Sequence, residues 1–166
     1  ASLEVVVAYV RPNQPWVPSS VEDAAFALRE IAPFANEWDE AGGFPREVYR
    51  QAAEAGLLAL GYPQELGGTP ASWRLRNAVA QTLARETGSG GLHASLFSLG
   101  IGLPPIVRHG SPALQRRVVP GVLRGERIAA LAITEPGGGS DVAQIRTTAR
   151  RDGGEWVIDG EKVFIT

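Results

Sequence analysis

The chain contains no cysteine and no methionine, and it has two histidines and a single lysine. Without cysteine there is no disulfide, no thiolate nucleophile and no cysteine-ligated metal. His93 and His109 alone do not build a multi-histidine centre, so no metal site is expected. Charge of one sign is also lacking: 16 basic against 18 acidic side chains give a formal charge of −2, which leaves no global field to recruit nucleic acid or an anionic membrane. The apolar run Val5–Val10 is far shorter than the ~20 residues of a membrane span and lacks the basic flank of a secretory signal. The composition therefore reads as a soluble, cytoplasmic protein with no membrane span, in which any anion binding depends on local geometry. The absent methionine, together with a strand-like ending at Lys162–Thr166, reads as a fragment. Fifteen of the 16 basic residues are arginine, with Lys162 alone as lysine, a bias that reads as a property of the source genome more than of function.

What is present is enough for a core: 44% of 166 residues are hydrophobic. Residues 1–18 carry three prolines and no helical period, and read as an arm or linker. Residues 19–125 read as a helical amino-terminal domain. Ser19 or Ser20 caps a first helix, with Glu22 or Asp23 completing a capping box. Its buried stripe is Val21, Ala24, Ala25, Leu28, Ile31, Ala32 and Ala35, opposite Glu22, Arg29 and Glu30, until Pro33 kinks or ends it. A second helix has Pro45 in its first turn, buries Val48, Tyr49, Ala52 and Ala53, and stops at Gly56. The following LLALGYPQELGG reads as a loop. Ser72 caps a third helix through Leu75, Val79, Leu83 and Ala84, closed by Gly88. Gly91–Val107 is apolar on nearly all sides and is expected to be a helix buried at the centre of the bundle. Gly110 ends it, Ser111 caps the next helix and Pro112 occupies its first position.

After Gly125 the period changes. Arg127–Ile133, Ile145–Arg151, Trp156–Ile158 and Lys162–Ile165 read as antiparallel strands, separated by turns at Asp152-Gly153-Gly154 and Asp159-Gly160. The fold class is mainly α: a helical bundle followed by the first antiparallel strands of a β-barrel-like domain, residues 126–166, that the sequence does not finish.

The string Thr134-Glu135-Pro136-Gly137-Gly138-Gly139-Ser140-Asp141 follows an apolar strand. Glycines let a backbone turn sharply and bring N–H groups to a ligand, and the Thr134 and Ser140 hydroxyls add donors, which suits an anion or a polar ring edge. No Gly-Lys-Ser/Thr follows, so it is not a Walker loop; its glycines are consecutive, so it is not the dinucleotide fingerprint. From the glycines alone, a tight strand-to-strand turn is an equally good reading.

ITEPGGGSDVA and WVIDGEKVFIT resemble the two β-domain signatures of the acyl-CoA dehydrogenases, at the expected separation. The upstream text IAPFANEWDEAGGFPREVYRQAAEAGLLALGYPQELGG and VVPGVLRGERIAALAITEP is similar to the family's amino-terminal helical domain, so the resemblance spans residues 21–166. It implies an FAD-dependent enzyme that removes the α proton of an acyl-CoA thioester while the β hydrogen leaves as hydride, giving a trans-2-enoyl-CoA. It also implies that Leu131, Ala132, Ile133 and Thr134 lie along the isoalloxazine, with Thr134 on its pyrimidine edge, where donors would stabilise the negative charge of reduced flavin. Gly137, Gly138, Gly139 and Ser140 form the flavin loop, with Ser140 also touching acyl-CoA. Phe164, Ile165 and Thr166 match an aromatic-Ile-Thr triplet flanking the flavin. Phenylalanine here replaces the tryptophan often found, keeping a flat wall but losing the indole N–H.

By the same resemblance the catalytic base is a glutamate of a carboxy-terminal helical domain, so no catalytic residue is expected in these 166 residues; Glu135 belongs to the loop signature. The implied partners are an acyl-CoA substrate, an electron-transfer flavoprotein as acceptor, and further copies in a homodimer or homotetramer. The implied location is the bacterial cytoplasm, or the mitochondrial matrix in a eukaryote. Two alternatives stay open: a flavin oxidase or monooxygenase on the same scaffold, and a non-catalytic truncated helical module.

Other conspicuous residues have plainer readings. His93 is expected to be a hydrogen-bonded core histidine and His109 to sit at a helix C-terminus, facing the dipole. Arg116, Arg117, Arg124 and Arg127 read as solvated surface. Trp38 and Trp73 read as packing anchors, and Asp39 and Glu40 as non-cooperating neighbours on different helix faces. The stretch Leu92–Leu103 is expected to help line the acyl cavity.

Overall fold

The computed structural model of the chain describes residues 26–165. The arm 1–18, the cap at Ser19 or Ser20 with Glu22 or Asp23, the apolar positions Val21, Ala24 and Ala25, and Thr166 lie outside these residues. The described residues form two compact units that divide between Ala129 and Ala130.

The described part of the first unit is helical. It opens with a π-helical turn, Ala27–Ile31, in which the Ala32 N–H donates to the Ala27 carbonyl at 2.8 Å. Then follow α1 (Ala35–Glu40), α2 (Glu47–Glu54), α3 (Trp73–Thr87), α4 (Gly90–Leu96), α5 (Leu99–Gly102), α6 (Pro104–His109) and α7 (Pro112–Leu123). The π turn corrects the expected stripe. An i→i+5 turn takes in one residue more than an α turn and rotates the positions around it. Phe26, Ala27, Ile31 and Ala35 are buried, whereas Leu28, expected among them, is 42% exposed.

Local capping chemistry sets several helix starts. The Ser72, Ser89 and Ser111 hydroxyls accept from Leu75 N–H at 3.2 Å, Leu92 N–H at 3.3 Å and Leu114 N–H at 3.2 Å. Gly88, left-handed at φ 65°, closes α3. Replacing Ser111 by alanine is expected to lower stability by about 1 kcal/mol, seen as a lower urea midpoint with an unchanged slope.

Ile31, Val48, Leu58, Leu96, Leu103 and Val119 form the driest part of the core. The segment read as a loop after α2 is itself core: Leu57, Leu58, Tyr62 and Leu66 are buried, around a 3-10 turn at Gln64–Leu66. The Tyr62 hydroxyl donates to the Leu99 carbonyl at 2.9 Å, and burial pushes this phenol up to about 12.

The apolar stretch expected as one buried helix is instead α4, α5 and α6 in succession. Leu92, Leu96, Leu99 and Leu103 enter the core at the three-four spacing of a single face, while Ile101 is 59% exposed. By length and composition alone Gly90–His109, with a mean hydropathy of 1.3, is apolar enough to cross a membrane, a longer candidate than Val5–Val10. Its division into short helices and its leucines in the core fit a bundle element.

In the second unit, β1 (Thr148–Asp152) and β2 (Glu155–Asp159) pair antiparallel from Thr148↔Asp159 to Asp152↔Glu155. Gly153, at φ 59°, supplies the left-handed turn residue between them. Two other expected strands are absent as strands. Neither Arg127–Ile133 nor Lys162–Ile165 joins a ladder among the described residues. Their β-forming composition is not matched by a neighbouring strand, and only isolated hydrogen bonds link the second to the chain near Thr134.

Candidate functional site

Within the second unit, the glycine string is a tight turn. The Glu135 N–H donates to the Gly138 carbonyl at 2.9 Å and the Gly138 N–H returns to the Glu135 carbonyl at 3.0 Å, with Pro136 and Gly137 at the tip. The Gly138 amide is therefore engaged inside the turn. The Gly137, Gly139 and Ser140 amides donate to no protein acceptor among the described residues. Gly139 packs so closely on Thr134 that a Cβ there would lie 2.9 Å from Thr134 Oγ1. Asp141 Oδ1 accepts from the Ala143 N–H at 3.2 Å and caps a 3-10 turn at Val142–Gln144.

The Glu135 side chain turns inward and the residue is 8% exposed. Its Oε2 accepts from the Arg146 N–H at 2.8 Å. Its Oε1 accepts from the Thr147 N–H at 2.9 Å, the Thr147 hydroxyl at 2.6 Å and Lys162 Nζ at 2.9 Å. These donors, the Thr147 hydroxyl foremost, hold the carboxyl well below the usual carboxylate range. A carboxylate so saturated with donors is a poor proton acceptor.

Lys162 Nζ also donates to the Ile133 carbonyl at 3.0 Å, and the Val163 N–H donates to the Thr134 carbonyl at 3.0 Å. The two signature segments, separate in sequence, are thus side by side. Sequence reasoning missed the place of Lys162 in this junction, although the signal was there: it is the one lysine among 16 basic residues. A compact ammonium aims separate N–H groups at oxygens of Ile133 and Glu135, two residues apart, which the rigid planar fork of arginine does poorly.

The remaining expected site residues surround this junction. Leu131 is 43% and Ile165 38% exposed, Ala132 and Ser140 are exposed, and Ile133 and Thr134 are half-buried. Thr134 Oγ1 has no hydrogen-bond partner among the described residues. Phe164 is 95% exposed and takes a left-handed backbone, φ 57°, unusual for an aromatic residue. Exposed apolar side chains beside a few unengaged neutral donors are a donor set suited to a flat ring with a polar edge, and so fit a flavin.

Elsewhere, in the first unit, two readings are corrected. His93 is not hydrogen-bonded as expected: its Nδ1 is buried without a partner among the described residues, burial pushes its pKa down, and its ring lies 5.0 Å from Phe97. Trp73 is no packing anchor, being 72% exposed with the Arg76 guanidinium 4.4 Å over its ring. Trp38 does pack, in a chain of rings from Phe34 through Phe44 to Tyr49. His109 ends α6 at the surface. Arg116, Arg117, Arg124 and Arg127 are exposed, with Arg124 paired to Glu126, and Asp39 and Glu40 are exposed singly. Of Leu92–Leu103, Gly100 lines a cleft of about 280 Å³ shared with Tyr62, Trp73, Arg76, Pro104 and Arg108. Among the described residues no three metal-ligating side chains converge.

Comparison with known proteins adds a family. Residues 22–126 match the family described as acyl-CoA dehydrogenase, N-terminal domain, and residues 130–166 match acyl-CoA dehydrogenase, middle domain. The chain is 34% identical over 85% of its length to a 3-(aryl)acrylate reductase of Clostridium sporogenes, covering 37% of that protein. It is 35% identical, again over 85%, to the mitochondrial long-chain specific acyl-CoA dehydrogenase of Rattus norvegicus, covering 32% of it. A solved structure described as a probable acyl CoA dehydrogenase from Mycobacterium abscessus is 41% identical, with a TM-score of 0.86 over 95% of this chain and 41% of that one. A glutaryl-CoA dehydrogenase from Mycobacterium smegmatis, solved in complex with FADH2, shares the fold at 23% identity with a TM-score of 0.83, over 95% of this chain and 40% of that one. The chain spans about a third of the length of the curated relatives it matches.

Proposed function

The chain belongs to the acyl-CoA dehydrogenase family, and on that premise we propose that the whole protein is an FAD-dependent enzyme that dehydrogenates an acyl-CoA thioester to a trans-2-enoyl-CoA. This segment furnishes cofactor-holding walls and not the base. The observation that carries the reading is the junction in the second unit, where the Lys162 and Val163 donors lie on the Ile133 and Thr134 carbonyls. It ties Ile133 and Thr134 to the segment that leads into Phe164 and Ile165.

When bound, the flavin supplies hydride acceptance. Thr134 Oγ1 and the Gly137, Gly139 and Ser140 amides act as fixed neutral donors toward its polar edge, favouring the extra negative charge of its reduced form. Leu131, Phe164 and Ile165 present apolar surface that excludes water from the ring. Ser140, exposed beside the turn, is placed to serve a ligand's polar group as well. The proton is taken by a glutamate outside these 166 residues, electrons pass to an electron-transfer flavoprotein, and copies of the protein assemble as a homodimer or homotetramer.

The full-length protein is expected to purify yellow, and its visible band to bleach under anaerobic acyl-CoA with stoichiometric enoyl-CoA formation. Stoichiometric oxygen consumption with indifference to a dye or flavoprotein acceptor would instead establish the oxidase. The Clostridium relative's name, a reductase, favours a second reading in which the same walls serve reduction of a conjugated acid. Reoxidation of the reduced enzyme by an arylacrylate, with no bleaching by acyl-CoA, would identify it. Residues 1–166 alone are expected to be colourless, because an open half-site buries too little of the cofactor.

A further inference from the structure

We infer that Glu135 and Lys162 are positioning residues for the flavin wall, their contact tying the segment that carries Phe164 and Ile165 to Ile133 and Thr134; this rests on the flavin reading proposed above. Three bonds tie the segments: Lys162 Nζ to Glu135 Oε1 at 2.9 Å, Lys162 Nζ to the Ile133 carbonyl at 3.0 Å, and the Val163 N–H to the Thr134 carbonyl at 3.0 Å. Directly after this tie, Phe164 is held at φ 57° with its ring 95% exposed. A non-glycine residue remains in the left-handed region only where its surroundings over-determine it, and such outliers concentrate at ligand-contact positions.

The residue types fit the task. Glu135 faces two backbone N–H groups, a hydroxyl and an ammonium, so both carboxylate oxygens are acceptors. A glutamine would turn an N–H toward one of those donors. Lys162 serves two oxygens two residues apart, and an arginine fork would not meet both at this spacing. The carboxylate also fastens the chain just before β1 through Arg146 and Thr147, so the same group registers a third segment.

The test uses the full-length protein with Lys162→Met, Lys162→Arg and Glu135→Gln. Amide exchange at Val163, followed without added flavin, is expected to quicken in Lys162→Met. The FAD dissociation constant should rise about tenfold or more, since a wall displaced by about an ångström loses its fit. The visible band and reduction potential of the flavin that does bind should shift. Lys162→Arg is expected to restore the thermal midpoint without restoring the band or the potential, which a purely structural ion pair would not do. Wild-type band, potential and FAD affinity in Lys162→Met, or full rescue by arginine, would overturn the inference while a yellow, acyl-CoA-bleachable wild type leaves the flavin reading standing. A wild type that takes up no FAD overturns both.

Discussion

Gly125→Ala is expected to destabilise the helical unit by about 3 kcal/mol, combining a left-handed penalty of about 1 kcal/mol with the cost of a backbone collision. Gly125 follows α7 at φ 72°, and a Cβ there would stand 2.3 Å from the Tyr49 carbonyl oxygen and 2.8 Å from the Arg50 nitrogen, both in α2. Neither side yields easily. Helix α2 is fixed by buried Val48 and Ala52, and the turn by Glu126 and Arg127 N–H groups that both donate to the Gly121 carbonyl. Gly56→Ala is the internal control, since Gly56 has a similar φ of 80° but nothing within 4 Å of its added Cβ. It is expected to cost only about 1 kcal/mol, the conformational part alone. Urea unfolding of the two variants measures the difference; equal losses would show that the turn moves aside and that close packing on α2 does not constrain this position.

Glu135→Ala should disturb the second unit more than any other single polar replacement there. It removes the acceptor of two backbone N–H groups, one hydroxyl and one ammonium at once, in a residue only 8% exposed. Donors left without acceptors away from water lose their hydration as well as their bond. Amide exchange at Arg146, Thr147 and Val163 is expected to quicken by at least about tenfold, while the core amides of α2 and α3 keep their protection. Unchanged exchange at Thr147 would show that water replaces the carboxylate without loss.

The same group sets an acid response. Its folded-state pKa lies below the unfolded value, so its contribution is complete above the ordinary carboxylate range and is lost only as pH falls through the depressed folded value. The wild-type Val163 amide should therefore stay protected at about pH 4, where an ordinary carboxylate is half protonated. In Glu135→Ala the protection should be low at every pH.

Much of the helical unit was legible because capping and periodicity are local. Ser72 and Ser111 announce helix starts through their own hydroxyls, Gly56 and Gly88 announce ends through their freedom at positive φ, and Asp152-Gly153-Gly154 announces a hairpin. Legibility failed where burial depends on a distant partner. Leu28 and Trp73 have core-like chemistry but stay largely exposed, Trp73 under no more than the Arg76 guanidinium among the described residues, and the supposed loop after α2 is core because Tyr62 finds the Leu99 carbonyl 37 residues away.

The candidate site divides in the same way. By themselves, the strings LAITEPGGGSDVA and WVIDGEKVFIT pointed to the family and nominated Leu131–Thr134, the glycines with Ser140, and Phe164–Thr166, because those signals lie in contiguous residue types. That the glycine string closes on itself between Glu135 and Gly138, and that Glu135 reaches Lys162 across 27 residues, only the tertiary structure decided. A buried carboxylate is stable only when several donors converge on it, and donors from Arg146, Thr147 and Lys162 converge only after the chain has folded.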